Sequence, residues 1–320
     1  MKGLIQSVQP QLRDEKTVAL ATLVSATGST SKKIGAKMYV GSSGRILGGV
    51  TIGGCVDSQV IEASDHLLNT GGRRLLSISL DDDEAWEIGL TCGGTVEVLI
   101  ERIQPNDAHD PVVSAHARAT ALIERGEAAV IVTPIEPAGT PYTVPSSDLV
   151  EPSGNGRVFI DRIAPPTRLL VVGAGQIAMS LTRFARELDM QTVVIDGRER
   201  YATRERFPDA DDIQVGMPSE IVGRMPAAPN VAAILIAHDY KYELPVLRQL
   251  LRSNVGYIGL LGSRKRGAAV MDLLRDEGFT SDELARIRTP IGLDIGGKSS
   301  AEVALSILAE VVAVRSGRRP

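Results

Sequence analysis

Aromatic side chains make up only 3% of this 320-residue chain, with one tryptophan and four phenylalanines. So few rings leave little for the stacking platforms that hold single-stranded nucleic acid. Positive charge is not in excess either: 35 Lys and Arg stand against 39 Asp and Glu, a formal charge of −4. A nucleic-acid binder needs a basic surface to displace counterions from phosphates, and this balance argues against one. Two cysteines are too few for a disulfide framework, which makes the cytoplasm the expected compartment. No apolar run approaches the ~18–20 residues of a membrane span. The opening MKGLIQSVQPQLRDEK lacks the apolar region of a signal peptide. Internal repeats and low-complexity tracts are missing too. What the chain has in quantity is apolar side chain, 43% of residues, and 32 glycines. Packed cores with many tight turns follow, and the length suits two domains.

A change of composition marks the domain boundary. Residues 136–167 carry six prolines and little helical periodicity, which reads as a linker with a short hairpin, Arg157–Ile163 being one strand. Before it, residues 1–135 mix short strands with helices: a strand at Val18–Ser25, a hairpin around Gly41–Gly44, and a helix over Val56–Leu68. Strands at Leu75–Leu80 and Val96–Ile100, a helix near 111–125 and the strand AVIVTPI complete it. This predicts an α/β domain with a mixed sheet. From Arg168 to residue 320 the pattern is more regular. Strands at Arg168–Val172, Thr192–Asp196, Val231–Ala237 and Tyr257–Leu261 alternate with helices across short connections. That is the signature of a Rossmann-like, doubly wound parallel sheet.

The strand RLLVV runs into Gly173–Ala174–Gly175–Gln176–Ile177–Ala178, a G-x-G-x-x-A turn. Glycine lets a diphosphate approach the backbone, and the helix opening at Gln176 offers unpaired N–H groups to it. Asp196 ends the next strand about 20 residues on, where a carboxylate holds a ribose hydroxyl. Arg198, two residues further, is placed to pair with an extra phosphate instead. His238–Asp239 and Gly262–Ser263–Arg264–Lys265–Arg266 follow two other strands. Ligands of open α/β sheets bind outside the carboxyl ends of the strands, so both groups are candidates for the same crevice. Helix capping by Asp239 and Ser263 explains them equally well. Gly292–Ser299 matches the phosphate-loop pattern G-x-x-x-x-G-K-[ST], but no buried strand precedes it. Ser299 and Glu302 form a capping box there without any nucleotide. His66, His109 and His116 read as ordinary surface residues.

Both cysteines adjoin glycine pairs: Gly53–Gly54–Cys55 at a strand-to-helix turn, and Cys92–Gly93–Gly94 just before a strand. A thiol near a helix N-terminus is favoured as thiolate, hence as nucleophile or soft-metal ligand. A small buried apolar role is the alternative. With no C-x-x-C and no Cys/His set, structural zinc is not expected.

Taken together, these motifs resemble the XdhC/CoxI family, accessory factors for xanthine dehydrogenase and related molybdenum hydroxylases. The resemblance rests on Thr27–Gly28–Ser29–Thr30, Gly35–Ala36–Lys37–Met38, Gly53–Gly54–Cys55–Val56 and Gly89–Leu90–Thr91–Cys92–Gly93–Gly94. In the second domain it rests on VVGAGQIA, His238–Asp239, Gly262–Ser263–Arg264 and PIGLDIGGKSSAEVALSILAE. It implies an accessory chaperone rather than a turnover enzyme. Such a protein binds the molybdenum cofactor, as molybdopterin or its dinucleotide form, while a cysteine desulfurase system supplies its sulfido ligand. It then inserts the cofactor into an apo molybdenum hydroxylase. On this reading Cys55 and Cys92 approach molybdenum. Gly173, Gly175, Gln176, Ile177, Asp196, Arg198, His238, Asp239, Ser263 and Arg264 line the phosphate or nucleotide end. A homodimer and NAD(P) binding are left open. Ser31–Lys32 stand where the family often has Pro-Arg, and Asp57 where it has Glu. The rival class is an NAD(P)-dependent oxidoreductase, with His238 as acid/base and the first domain as a substrate cap. A protein-binding module with a vestigial nucleotide site is a third.

Overall fold

The computed structural model describes residues 5–28, 34–50, 54–80, 94–136, 139–148 and 156–318. The chain divides into two compact units, Met1–Pro165 and Pro166–Pro320. Among the described residues no helix is long and apolar enough to cross a membrane.

In the first unit, β1 (Val18–Gly28), β2 (Lys37–Val40), β3 (Ile46–Gly49), β4 (Arg73–Leu80) and β5 (Gly94–Ile103) form a sheet ordered β3-β2-β1-β5-β4. Every described pairing in it is antiparallel. Alternation along β1 sends Ala19, Ala21 and Leu23 to one face and Val18 and Leu20 to the other. The first face is covered by α2 (Gly54–Thr70), whose Val56, Val60, Ala63 and Leu67 recur at helical spacing. The second packs on α1 (Ile5–Leu12) and on α3 (Pro111–Glu124). The Asp110 carboxylate starts α3 by accepting from the N–H groups of Val112 (2.9 Å) and Val113 (3.2 Å). A second antiparallel sheet, β7-β6-β8, joins Tyr142–Pro145, Ala129–Glu136 and Arg157–Ile163. Much of the proline-rich stretch is therefore strand. Pro145 is the last residue of edge strand β7, where a missing N–H costs no central ladder bond.

The second unit holds one six-stranded sheet, ordered β11-β10-β9-β12-β13-β14 and parallel throughout. Its strands are β9 (Arg168–Val172), β10 (Gln191–Asp196), β11 (Asp212–Val215), β12 (Val231–Leu235), β13 (Tyr257–Leu260) and β14 (Ile287–Arg288). Successive β9 residues feed two separate cores. Leu169 and Val171 pack with α4 (Gln176–Glu187) and α9 (Ser300–Arg315), while Leu170 and Val172 pack with α6 (Tyr240–Leu251) and α7 (Arg264–Asp276). Burial on both faces is why the strand is an unbroken apolar run in sequence. Two short helices, α5 (Pro218–Val222) and α8 (Ser281–Leu284), complete the unit. The order reverses between β9 and β12, which opens a crevice at their carboxyl ends.

Candidate functional site

A cavity of about 130 Å³ lies at that reversal, lined by Gly173, Asp196, Gly197, Arg198, Asp239 and Tyr242 among others. Gly173, at the end of β9, has φ +115°. A Cβ there would come within 2.8 Å of the Ala237 backbone, so glycine is required by the close passage of the β12 exit. Gly175 differs. It is the N-cap of α4 in an ordinary extended conformation, and an added Cβ would meet nothing within 4 Å. The space in front of this turn is open. Gln176 and Ile177 follow it in the first turn of α4, whose leading N–H groups have no intrahelical acceptor.

Asp196 ends β10 with only 3% of its surface exposed. Its Oδ2 accepts from Ala174 N (2.7 Å) and Arg198 Nη2 (2.8 Å), and its Oδ1 from Arg198 N and Nε (both 2.9 Å). Burial alone would raise this carboxyl's pKa; the hydrogen bonds from Arg198 and Ala174 outweigh it and hold the group below the usual range. The partners differ from the ribose hydroxyl read from sequence: the carboxylate is engaged by the protein itself. The Arg198 guanidinium also stacks on the Tyr201 ring, 4.1 Å from its centroid. Arg206 braces the same turn from the other side, donating from Nη1 to Ala174 O (3.0 Å) and Tyr201 O (2.6 Å). Nothing in the spacing singled out Arg206.

His238 and Asp239 follow β12. His238 is exposed and has φ +56°, in the left-handed region. Its N–H donates to Glu243 Oε1 at 3.0 Å. Asp239 both lines the cavity and caps α6, accepting from Lys241 N at 2.9 Å. Glu243, fully buried, is ion-paired to Arg266, whose Nη1 donates to Leu261 O at 2.8 Å. One buried pair thus ties the β12–α6 turn to the β13–α7 turn. Ser263 caps α7 through Arg266 N at 3.2 Å, and Arg264 beside it is exposed. Sequence named Arg266 within its basic run but gave Glu243 no role. A carboxylate on the inward face of an amphipathic helix was the available signal. At the phosphate-loop look-alike, Ser299 caps α9, and Glu302 accepts from Ser299 N at 2.9 Å and Lys298 N at 3.0 Å. That is the capping box expected there.

Cys92 lies outside the described residues, as do Ser29, Thr30 and the Cys55 side chain; Cys55 is the second residue of α2. The strand ends that lead toward these motifs are neighbours, since Thr27 pairs with Thr95 and Gly28 with Gly94. The first unit also contains a buried polar cluster that sequence reasoning missed. Lys37 is ion-paired to Asp161, and Glu101 to its cross-strand partner Arg73 at 2.7 Å. Burial raises the Glu101 carboxyl's pKa. His116, read as a surface residue, is 3% exposed, and its Nδ1 accepts from Ile5 N at 3.2 Å. Burial, helped by the charge of Lys37, pushes its pKa down to about 3. Thr22, Lys37 and Glu101 occupy inward positions of their strands, so polar residues at core parity were the signal.

Residues 169–311 match the family model described as the XdhC Rossmann domain, and residues 11–79 that of the XdhC and CoxI family. A relative from Bacillus subtilis, described as a probable xanthine dehydrogenase component, is 28% identical, the alignment covering 95% of each chain. A molybdenum cofactor insertion chaperone from Escherichia coli, PaoD, is 26% identical over 95% of this chain and 85% of its own. A crystal structure of a xanthine dehydrogenase from Bacillus halodurans superposes with a TM-score of 0.80 at 23% identity, covering 100% of this chain and 97% of that one. That likeness shows the fold of the chain.

Proposed function

The chain belongs to the XdhC and CoxI family, and from that membership we propose that it is a maturation factor for a molybdenum hydroxylase of the xanthine dehydrogenase type. It carries the molybdenum cofactor in the cytoplasm and holds it while a cysteine desulfurase system supplies the terminal sulfur. It then hands the cofactor to the apo-enzyme. The observation that carries this reading is the 26% identity to a molybdenum cofactor insertion chaperone, which extends over 95% of this chain and so includes both units.

The residues suit that cargo. In the second unit the phosphate end sits at the turn Gly173–Ala178, where an open face meets the leading amides of α4. Asp196 and Arg206 hold that turn rigid through the two sides of Ala174. In the first unit Cys55 and Cys92 supply the soft sulfur that molybdenum accepts.

The test is direct. Full-length protein is mixed anaerobically with cofactor released from a molybdoenzyme and passed over a gel-filtration column. Molybdenum and pterin fluorescence should co-elute with it in near-stoichiometric amounts. Absence of both from the protein peak would sink the proposal. Cys55→Ala and Cys92→Ala should keep the wild-type unfolding transition yet activate an apo-hydroxylase poorly. A double variant that activates normally would assign the thiols to packing.

A further inference from the structure

We propose that the crevice of the second unit is built for a ligand ending in a phosphomonoester beside the glycine turn, and that Arg198 selects this end over a bare ribose diol. The inference deepens the reading above, on which it rests, by choosing between two chemical forms of the cargo. A terminal phosphate is the end of an unextended pterin, whereas a nucleotide extension ends in a sugar and base.

A ribose diol is recognised by a carboxylate with free lone pairs, because its two hydroxyls must donate. Asp196 has none to spare. An ionised carboxylate offers about four acceptor positions, and Ala174 N and three donors of Arg198 fill them at 2.7–2.9 Å. Admitting a diol would mean evicting a charged donor from a residue 3% exposed. Such a bond to a charged group is worth about 10- to 100-fold in binding.

The same arrangement favours an anion. The Arg198 side chain is 50% exposed at the cavity, and its Nη1 donors are not spent on Asp196. The Tyr201 ring, 4.1 Å away, supports the guanidinium from its other side. A planar fork held by a carboxylate and a ring loses little freedom on meeting a phosphate. Ala174 N joins the two halves of the site: it and Arg198 Nη2 donate to the same oxygen of Asp196. The guanidinium is therefore fixed next to the turn. With open space at Gly175, a phosphate there meets Arg198 on one side and the first amides of α4 on the other. The same chemistry is found in a 2′-phosphorylated dinucleotide, so two sources of the phosphate need separating.

Titration calorimetry on the full chain with two matched pairs does this. NADP⁺ and NAD⁺ differ only in the 2′-phosphate; a phosphorylated pterin and its phosphatase-treated form differ only in the terminal phosphate. The phosphorylated member of at least one pair should bind about 10- to 100-fold more tightly. Discrimination in the pterin pair assigns the phosphate to the cargo, and in the nucleotide pair to a dinucleotide. Arg198→Ala should level the pair. Arg198→Lys, which keeps the charge but not the fork, should retain part of the difference and guards against a folding defect. Equal affinities within both pairs, a preference for NAD⁺, or no binding by any of the four overturns the inference. Should pterin and molybdenum still co-elute with the protein, the maturation reading survives that failure. Should neither co-elute, that reading falls, and the nucleotide pair alone decides.

Discussion

Two glycines of one turn have opposite duties. Gly173 carries φ +115°, and the Ala237 backbone lies 2.8 Å from where its Cβ would be, so a side chain there forces the strand exits apart. Gly173→Ala should cost roughly 2 kcal/mol or more of unfolding free energy in urea. Gly175→Ala should cost less than about 1 kcal/mol, since the position is an extended N-cap facing open space. Any loss there should appear in ligand affinity instead. The motif pattern reads both residues alike; only the surrounding backbone separates them. His116 gives a second residue-scale expectation. Its folded pKa is pushed down to about 3 by burial and then by Lys37, against roughly 6.5 in the unfolded chain. Above pH ~6.5 it is neutral in both states. Below that the unfolded chain takes up a proton that the folded one refuses. Stability should therefore fall by up to about 1.4 kcal/mol per pH unit from this group, until pH approaches 3. Denaturation midpoints between pH 7 and 4 should show His116→Asn, which keeps an acceptor for Ile5 N–H, with a shallower acid slope than wild type.

At the scale of elements, side chains join backbone bonds such as Gly173 N to Ile195 O (2.8 Å) and Ile236 N to Val172 O (2.9 Å) in holding the turns after the parallel strands. Asp196 ties β10 to the β9–α4 turn, and Glu243 with Arg266 ties the β12 exit to the β13 exit. Glu243→Ala leaves Arg266 and the His238 N–H without their buried acceptor. A loss of about 3–5 kcal/mol is expected by urea denaturation. Replacing the pair together, Glu243→Leu with Arg266→Met, should cost clearly less than the single change, because no charge is then stranded. A single variant within 1 kcal/mol of wild type would mean the pair does not hold these turns. Elements with strong periodicity were legible beforehand. The strand predicted at Arg168–Val172 is β9 at both ends, and the helix expected near 111–125 is α3. The short edge strand β11 and β7 were not foreseen, since four residues carry too little pattern to separate strand from loop.

The whole molecule consists of two units, each with cores drawn from its own residues. Residues 166–320 produced alone should consequently give a cooperative thermal transition by circular dichroism; a featureless melt would show that the unit needs the remainder of the chain. How much was written in the sequence follows from what local chemistry can encode. Alternating apolar strands and amphipathic helices, the glycine turn at 173–178 and the Ser299–Glu302 capping box depend on neighbours within a few residues. The parallel sheet, the crevice at its carboxyl ends and the family resemblance were therefore legible without coordinates. Partners distant in sequence decided the rest. Whether Asp196 faces a ligand or the protein depends on Ala174, 22 residues earlier, and on the rotamer of Arg198. Whether His116 is surface or core depends on Ile5, 111 residues away. Spacing along the chain can name the residue types a site requires. Which of their hydrogen-bonding positions remain open to a ligand is settled only when the folded chain has filled the others, because each buried polar atom must find its partner somewhere in the fold.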